Sequence, residues 1–298
     1  MNHMKAIAFA GLLTLAAIPF ATHAQTAQSW MHSDVKSAWS QGYKGQGTTI
    51  TVIDDYTSNS MLTGNFGTGT KTQRHGDFTL LEASMVAPSA NVRAMDFSNT
   101  GAVGLNKGLN VLNASYGMYA ANGYANNQIG WSGREASMIS YAKTGAAVVV
   151  KAAGNDSVAV TGVNSAGNAD YLNRALVGAQ SAIFVGALSR NGSNMILSQA
   201  SLASYSNFAG SDKSVQNNFV VVGVDSSQTR LQGTSFAAPI VSGYVAILGS
   251  KFTQASATQI TNQLLNTART DTIANYNAAT HGRGEASLSR ALAPVAIK

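Results

Sequence analysis

Five short apolar runs stand out along the chain, at 49–53, 111–114, 146–150, 182–188 and 219–224. Each is rich in Val, Ile or Ala and is bounded by polar or turn-forming residues, a pattern typical of buried strands in a parallel sheet. Stretches with helical character lie between them, at 79–85, 135–143, 239–250 and 256–266. Strands that alternate with helices predict an α/β fold with a mainly parallel central sheet flanked by helices. The polar segment 57–72 predicts a surface loop.

Composition limits the kinds of chemistry that the chain can carry. It has 298 residues, of which 45% are hydrophobic and 11% are charged. That length and that apolar fraction favour one large α/β domain and argue against global disorder. The absence of Cys excludes disulfides, thiol catalysis and iron–sulfur clusters. The net charge of +6 is spread over single Lys and Arg residues, so we expect a mildly basic surface and no nucleic-acid partner.

The N-terminus predicts export. Lys5 is the only charged residue before Ala24, an apolar run covers 6–20, and small residues follow it. This order is that of a secretory signal peptide with cleavage after Ala24. The apolar run is shorter than the roughly 20 residues that span a bilayer, so we expect no stable membrane anchor. The sequence therefore predicts a signal peptide at 1–24, a single domain at 25–298, and a secreted or periplasmic location.

Polar residues lie at the ends of the predicted strands or at the starts of helices. Asp54 follows the first strand, and His75 precedes a helical segment. Asn155 comes after the third strand, and Ser235 begins an apolar helix. Each residue alone has an ordinary explanation, such as a turn or a helix cap. Because sites in parallel sheets lie at the carboxyl ends of strands, we expect the four to lie close together.

A carboxylate, an imidazole, an amide and a hydroxyl are the groups that serine acyl transfer requires. A Ser hydroxyl is a weak nucleophile until a base takes its proton, and the reference pKa of His, about 6.5, suits that role. A buried carboxylate orients the imidazole, and hydrogen-bond donors stabilise the oxyanion. A Ser at a helix start adds free backbone N–H groups.

Short motifs surround these residues: Val-Ile-Asp at 52–54, His-Gly at 75–76, Val-Ala-Pro at 86–88, Asn-Ala-Ser-Tyr-Gly at 113–117, Ala-Ala-Gly-Asn at 152–155, Ser-Tyr-Ser-Asn at 204–207 and Gly-Thr-Ser-Phe-Ala-Ala-Pro at 233–239. In their order and spacing they resemble the motifs of the subtilisin-like serine peptidases, the subtilase family. The resemblance covers essentially all of 25–298 and implies a single-domain subtilisin-like fold. The segments 281–286 and 291–294 resemble the end of autotransporter-type subtilase passengers. Because the sequence stops at Lys298, we expect no membrane β-barrel to follow.

The resemblance implies a secreted serine endopeptidase that hydrolyses peptide bonds of protein or peptide substrates through an acyl-enzyme. Ser235 would be the nucleophile, His75 the general base and Asp54 the orienting carboxylate. The Asn155 amide and the Ser235 N–H would form the oxyanion hole. Four further residues would bind substrate, three by pairing with an extended peptide and the last beside the pocket for the residue before the scissile bond: Ser115, Tyr116, Gly117 and Gly154.

Many subtilases hold calcium in a loop inserted in the helix that begins at the catalytic His. Here the path from His75 to Pro88 is too short for that loop, and the 13 acidic residues of the chain are dispersed. Calcium takes about six to eight oxygen ligands, many of them carboxylates. We therefore expect no strong calcium site, no other metal site and no cofactor.

Two departures from the family pattern support an alternative. Asp55 and Tyr56 stand where the family has Ser or Thr and then Gly, and Asp77 would bring a second carboxylate near His75. The alternative is a catalytically silent relative that binds peptides or another protein. Three short motifs also match those of penicillin-recognising enzymes, although patterns of this length arise easily by chance: Ser-Asp-Val-Lys at 33–36, Ser-Ala-Asn at 89–91 and Lys-Thr-Gly at 143–145.

Overall fold

The computed structural model describes residues 26–297, so the predicted signal peptide at 1–24 lies outside the described residues. The strands are β1 (Thr49–Asp54), β2 (Leu62–Gly64), β3 (Lys71–Gln73), β4 (Asn91–Asp96), β5 (Asn110–Ala114), β6 (Tyr119–Ala121), β7 (Val148–Ala152), β8 (Asn168–Asp170), β9 (Ala182–Leu188) and β10 (Phe219–Gly223). The α-helices are α1 (Ser33–Ser40), α2 (His75–Val86), α3 (Gly133–Thr144), α4 (Tyr171–Leu176), α5 (Lys213–Asn217), α6 (Ser226–Thr229), α7 (Ala237–Lys251), α8 (Ala257–Asn266), α9 (Ala278–His281) and α10 (Leu288–Leu292).

Six strands form the central sheet, in the order β10-β9-β7-β5-β1-β4. All neighbours in it run parallel. The five apolar runs predicted from the sequence all lie in this sheet, although β7 begins and ends two residues later than expected. The four predicted helices correspond to α2, α3, α7 and α8. The prediction of a mainly parallel α/β fold is confirmed.

The sequence pattern missed the elements that lack an apolar run. β4 is the outer strand beside β1 and is only partly buried. It therefore carries polar residues that hide its strand character. The predicted loop 57–72 is wrong in part, because β2 lies within it and pairs with β3 in an antiparallel hairpin. Strands of three residues, which are only partly buried, are too short to show a period of two.

Helices cover both faces of the sheet, and alternate residues of a strand face opposite ways. In β1, Ile50 and Val52 contact the apolar cluster beneath α1, α2, α7, α8 and α10. Ile53 contacts the second cluster, beneath α3, α4 and α5. α7 is buried over nearly its whole length, as expected for a helix that is apolar on every side. A Cβ added at Gly243 of α7 would lie 2.4 Å from Val86 Cγ1, so α7 passes very close to α2.

The two ends of the described segment are joined by a buried carboxylate. Asp34 Oδ2 accepts hydrogen bonds from Ser289 N at 3.0 Å and from Ser287 Oγ at 3.2 Å. This contact fixes α1 against α10 within one domain. No helix between residues 26 and 297 has the length and apolar character needed to cross a membrane.

Candidate active site

Seven of the eight residues predicted for the site line one cleft of about 170 Å³ at the carboxyl edge of the sheet. The eighth, Asp54, ends β1 and contacts His75. β5 and β7 lead into the segments 115–117 and 153–155, and Ser235 lies two residues before α7. The parallel topology therefore gathers side chains that are far apart in the sequence.

Asp54 and His75 form a close pair. His75 Nδ1 lies 2.7 Å from Asp54 Oδ1, and the carboxylate side chain is 2% exposed against 28% for the imidazole. Thr79, one turn into α2, donates to Asp54 Oδ2 at 2.8 Å, and the Asp55 N–H donates to Oδ1 at 2.7 Å. These donors fix the carboxylate. With Nδ1–H directed at Asp54, a neutral His75 presents an unprotonated Nε2 towards the cleft.

The unusual turn after Asp54 depends on Gly76. The Tyr56 N–H donates to Asp96 Oδ2 at 2.8 Å, and the Tyr56 hydroxyl donates to the Val52 carbonyl at 3.2 Å. A Cβ at Gly76 would lie 2.6 Å from the Asp55 carbonyl oxygen and 2.8 Å from the Tyr56 ring. The bare glycine therefore lets the tyrosine turn pack directly on the start of α2 while Asp54 and His75 stay in contact.

Asp77 has a helix-capping contact. Its Oδ2 accepts a hydrogen bond from the Arg74 N–H at 3.2 Å, at the beginning of α2. Within the described chain, the hydrogen bonds and ion pairs of His75 reach Asp54, and none reaches Asp77. The departure at Asp77 therefore satisfies one backbone donor at the start of its own helix, and the Asp54–His75 contact is present beside it.

Ser235 Oγ and Asn155 Nδ2 approach a common point. A Cβ at Gly233, where φ is +132°, would lie 3.1 Å from Ser235 Oγ and 3.4 Å from Asn155 Nδ2. Asn155 Oδ1 accepts from the Thr234 N–H at 2.8 Å and from its hydroxyl at 3.1 Å. Since the oxygen of the amide is occupied, its N–H₂ group remains available to donate into the cleft.

No hydrogen bond between His75 Nε2 and Ser235 Oγ occurs in residues 26–297, although both residues line the cleft. The Phe236 ring lies beside His75, with ring centroids 5.4 Å apart. Contacts between a nucleophile and its base are often long in the absence of substrate and tighten when substrate binds.

The Ser115 side chain supports the nucleophile. Its Oγ donates to the Ser235 carbonyl at 2.8 Å and accepts from Asn113 Nδ2 at 2.9 Å. Asn113 Oδ1 in turn accepts from Ser242 Oγ of α7 at 3.0 Å. This buried chain of hydrogen bonds joins β5 to α7 and holds the turn that carries Ser235. The motif at 113–117 could be recognised in the sequence, but no motif or pattern predicted that Ser242 would contact Asn113.

Asn207 braces the segment that carries Asn155. Its Oδ1 accepts from the Asp156 and Val158 N–H groups at 2.9 and 3.1 Å, and its Nδ2 donates to the Ala153 carbonyl at 3.0 Å. Gly154 has φ of +112°, and a Cβ there would lie 2.3 Å from Asn207 Nδ2. Glycine at 154 is therefore required both by the backbone conformation and by the close approach of Asn207.

The described residues contain no group of three or more His, Asp or Glu side chains placed to hold a metal ion. α2 runs without interruption from His75 to Val86. The segment predicted to be helical at 79–85 therefore belongs to one continuous helix.

Glu82 is a buried acid on the same helix as His75. It is 2% exposed, and its Oε2 has no hydrogen-bond partner within the described chain. Burial raises the pKa of the Glu82 carboxyl well above its usual range. The folded chain thus keeps a proton that the unfolded chain loses near pH 4.3, so the carboxyl weakens folding progressively as pH rises above that value.

We expect Glu82→Gln to stabilise the protein at pH 8 and to have little effect at pH 4. The amide is similar in size and carries no titrating proton. About 1 kcal/mol shifts the Tm of a large domain by roughly 2–4 °C, so melting curves at the two pH values would show a gain of a few degrees at pH 8 alone. Asp271→Asn, at an exposed ion pair with Arg290, is the control and should change neither curve. An equal shift at both pH values would contradict the prediction.

Comparison with known proteins agrees with this fold. A model of the subtilase family matches residues 63–286, well over half of the chain. Among solved structures, the MycP3 protease from the type VII (ESX-3) secretion system is similar, with 20% sequence identity, a TM-score of 0.54, and 87% of this chain and 86% of that chain covered. A cold-adapted subtilisin-like serine proteinase has 17% identity and a TM-score of 0.48, with 82% of this chain and 88% of that chain covered. No match was found among curated protein sequences.

The parallel α/β fold and the match to this family model together define a subtilisin-like serine peptidase. The chain belongs to the subtilase family, as its motifs indicated. The similarity to the MycP3 protease, at 20% identity, supports the fold alone.

Proposed function

We propose that this chain is a secreted serine endopeptidase that cleaves protein or peptide substrates through Ser235, His75 and Asp54. The observation that carries the proposal is the 2.7 Å contact between His75 Nδ1 and Asp54 Oδ1, with the imidazole in the same cleft as Ser235. A buried carboxylate that orients an imidazole beside a serine hydroxyl is the arrangement that makes the hydroxyl a nucleophile.

In the first half of the reaction, Ser235 Oγ bonds to the scissile carbonyl carbon while its proton passes to His75 Nε2. Negative charge develops on the carbonyl oxygen, where the Asn155 N–H₂ and the Ser235 N–H donate to it. Asp54 stabilises the imidazolium. The C–N bond then breaks, His75 returns its proton to the departing amine, and the acyl group stays on Ser235.

In the second half, a water molecule replaces the amine. His75 Nε2 takes a proton from the water as its oxygen bonds to the acyl carbon. The bond to Ser235 Oγ breaks, the proton returns to that oxygen, and the carboxylic acid product leaves. The Ser115–Gly117 backbone would hold the extended peptide as an added strand beside the cleft.

Labelling with a fluorophosphonate tests the proposal against a silent, peptide-binding relative. The reagent bonds only to an activated serine, so mass spectrometry should find the adduct on Ser235 and a protein digest should contain new internal termini. Binding of peptides without an adduct would favour the silent relative. Release of single terminal residues would contradict the endopeptidase assignment. Secretion is supported by the segment 1–24 alone, and an N-terminus at residue 25 in exported protein is its test.

We expect Asn155→Ala to lower kcat by roughly 10²–10³-fold with a smaller effect on KM, because the amide donates to charge that develops only in the transition state. Steady-state kinetics on one peptide substrate would check this. Asn217→Ala, at an exposed side chain at the end of α5 and outside the lining of the cleft, is a matched control and should retain wild-type kcat. A variant at position 155 that changes KM alone would remove this residue from the oxyanion hole.

We also propose that the chain has no strong calcium site. The continuous α2 helix supports this, since it contains no loop that could supply six to eight oxygens. A tightly bound ion would stabilise the folded state by mass action. We therefore expect melting curves in excess chelator and in millimolar calcium to agree within about 2 °C. A clearly larger drop in chelator would contradict the proposal.

A further inference from the structure

A buried ion pair borders the cleft beside Ser235. Lys151, in β7, is 1% exposed and lines the cleft. Its Nζ lies 3.0 Å from Asp170 Oδ2, and both side chains are almost fully buried. Every other residue of β7 is Val or Ala. A charge buried at such a position is costly unless it is paired, which makes this lysine unusual for a core strand.

The ion pair is incompletely satisfied. Lys151 carries three N–H donors, and its directed hydrogen bond goes to the Ala152 carbonyl at 2.6 Å. Asp170 Oδ1 accepts from the N–H groups of Met118 and Leu172, both at 3.0 Å. Oδ2 accepts no well-directed hydrogen bond from the described residues. The ammonium contacts the Ala152 carbonyl and Asp170 Oδ2, so one of its three N–H groups has no partner among the described residues.

Glycines open the walls above this pair. A Cβ at Gly117 would lie 2.9 Å from Asp170 Oδ2 and 2.4 Å from the Tyr119 ring. A Cβ at Gly154 would also approach this tyrosine, at 3.3 Å from Tyr119 Oη. That hydroxyl donates to Asp156 Oδ2 at 3.0 Å and keeps its lone pairs as acceptors. The cleft is thus lined by a lysine with a spare N–H donor and by a tyrosine whose hydroxyl can accept.

We propose that this pocket selects an amide side chain, Gln or Asn, at the residue before the scissile bond. The inference rests on the proposed peptidase function and specifies its substrate class. The amide carbonyl accepts from Lys151 Nζ, and the amide N–H₂ donates to Tyr119 Oη. An amide carries a carbonyl acceptor and two N–H donors on separate atoms and has no charge, which suits a donor and an acceptor at separate places in the pocket.

Charge and desolvation explain why an amide side chain would bind in this pocket better than Glu or Leu. A Glu side chain would bring a second carboxylate towards Asp170, and two carboxylates that share one ammonium repel each other. A Leu side chain would cover the ammonium without accepting from it, which leaves a buried donor unpaired. A site built to hydrogen-bond a substrate group discriminates strongly against analogues that lack the group.

Four fluorogenic peptides that differ only in the residue before the scissile bond, Gln, Asn, Glu or Leu, test the inference. We expect kcat/KM for the better amide peptide to exceed those for Glu and Leu by about tenfold or more, the factor that corresponds to one well-placed hydrogen bond. A wild-type enzyme that prefers Leu or Glu, or that cleaves none of the four although Ser235 is labelled, would overturn the inference and leave the peptidase function standing. No labelling and no cleavage would instead overturn the proposed function.

The double variant Lys151→Met/Asp170→Asn identifies the residues responsible. The Asp170→Asn change keeps an acceptor for the backbone donors of α4 and leaves no carboxylate unpaired. We expect the amide preference to disappear and the Leu peptide to gain about tenfold relative to Gln. Lys251→Met, at a lysine that donates to the Leu292 carbonyl far from the cleft, should keep the wild-type preference. Retention of the amide preference in the double variant would overturn the inference. If the double variant does not fold, the kcat/KM values of the wild-type enzyme for the four peptides test the inference by themselves.

Discussion

Ser235→Ala is expected to reduce kcat for peptide hydrolysis by roughly 10⁶-fold while the melting temperature stays within a few degrees of wild type. The substitution removes only the oxygen that bonds to the scissile carbon. Ser235 is 7% exposed, and its carbonyl still accepts the hydrogen bond from Ser115 Oγ, so the turn before α7 keeps its support. Active-site titration and steady-state kinetics on the purified variant would measure the loss.

A matched control separates this loss from any general effect of a serine substitution. Ser40→Ala removes an exposed hydroxyl at the end of α1 that donates to the Ser37 carbonyl, far from the cleft, and should leave kcat unchanged. Hydrolysis by purified Ser235→Ala protein at more than about one part in 10³ of the wild-type rate would contradict the nucleophile assignment.

The central sheet could be predicted because its strands are buried on both faces. Runs such as those of β9 and β10 are apolar at every position, and that signal does not depend on any distant residue. β4 forms the outer edge of the sheet and is partly exposed, so its sequence carries no such run. Its place beside β1 is decided by pairing across 42 residues of chain, which no local pattern records.

The sequence also predicted that the site residues lie close together in space. Motifs mark Asp54, His75, Asn155 and Ser235, and the topology of a parallel sheet brings strand ends together. The supporting contacts are different, because each joins residues far apart in the sequence. The hydrogen bond from Ser242 to Asn113 is an example. These contacts are properties of packing, and short motifs do not encode them.

The departures from the family pattern are compensated locally. Tyr56 stands where a glycine is usual, yet its ring occupies space that Gly76 leaves open at the start of α2, and its N–H is satisfied by Asp96. Asp77 serves its own helix through the Arg74 N–H. With both changes present, His75 Nδ1 and Asp54 Oδ1 still lie 2.7 Å apart.

Asp54→Asn is expected to lower kcat/KM by roughly 10⁴-fold at neutral pH while leaving substrate binding nearly unchanged. The amide fits the same space and still accepts from Thr79 Oγ1, but its N–H₂ group can face His75 Nδ1. That nitrogen would then accept, the proton would move to Nε2, and the imidazole could no longer take the Ser235 proton. The value of kcat/KM and the rate of fluorophosphonate labelling should decrease together, since both depend on that proton transfer. Asp271→Asn, at an exposed ion pair, should show neither loss, and wild-type labelling of the Asp54→Asn protein would exclude Asp54 from the mechanism.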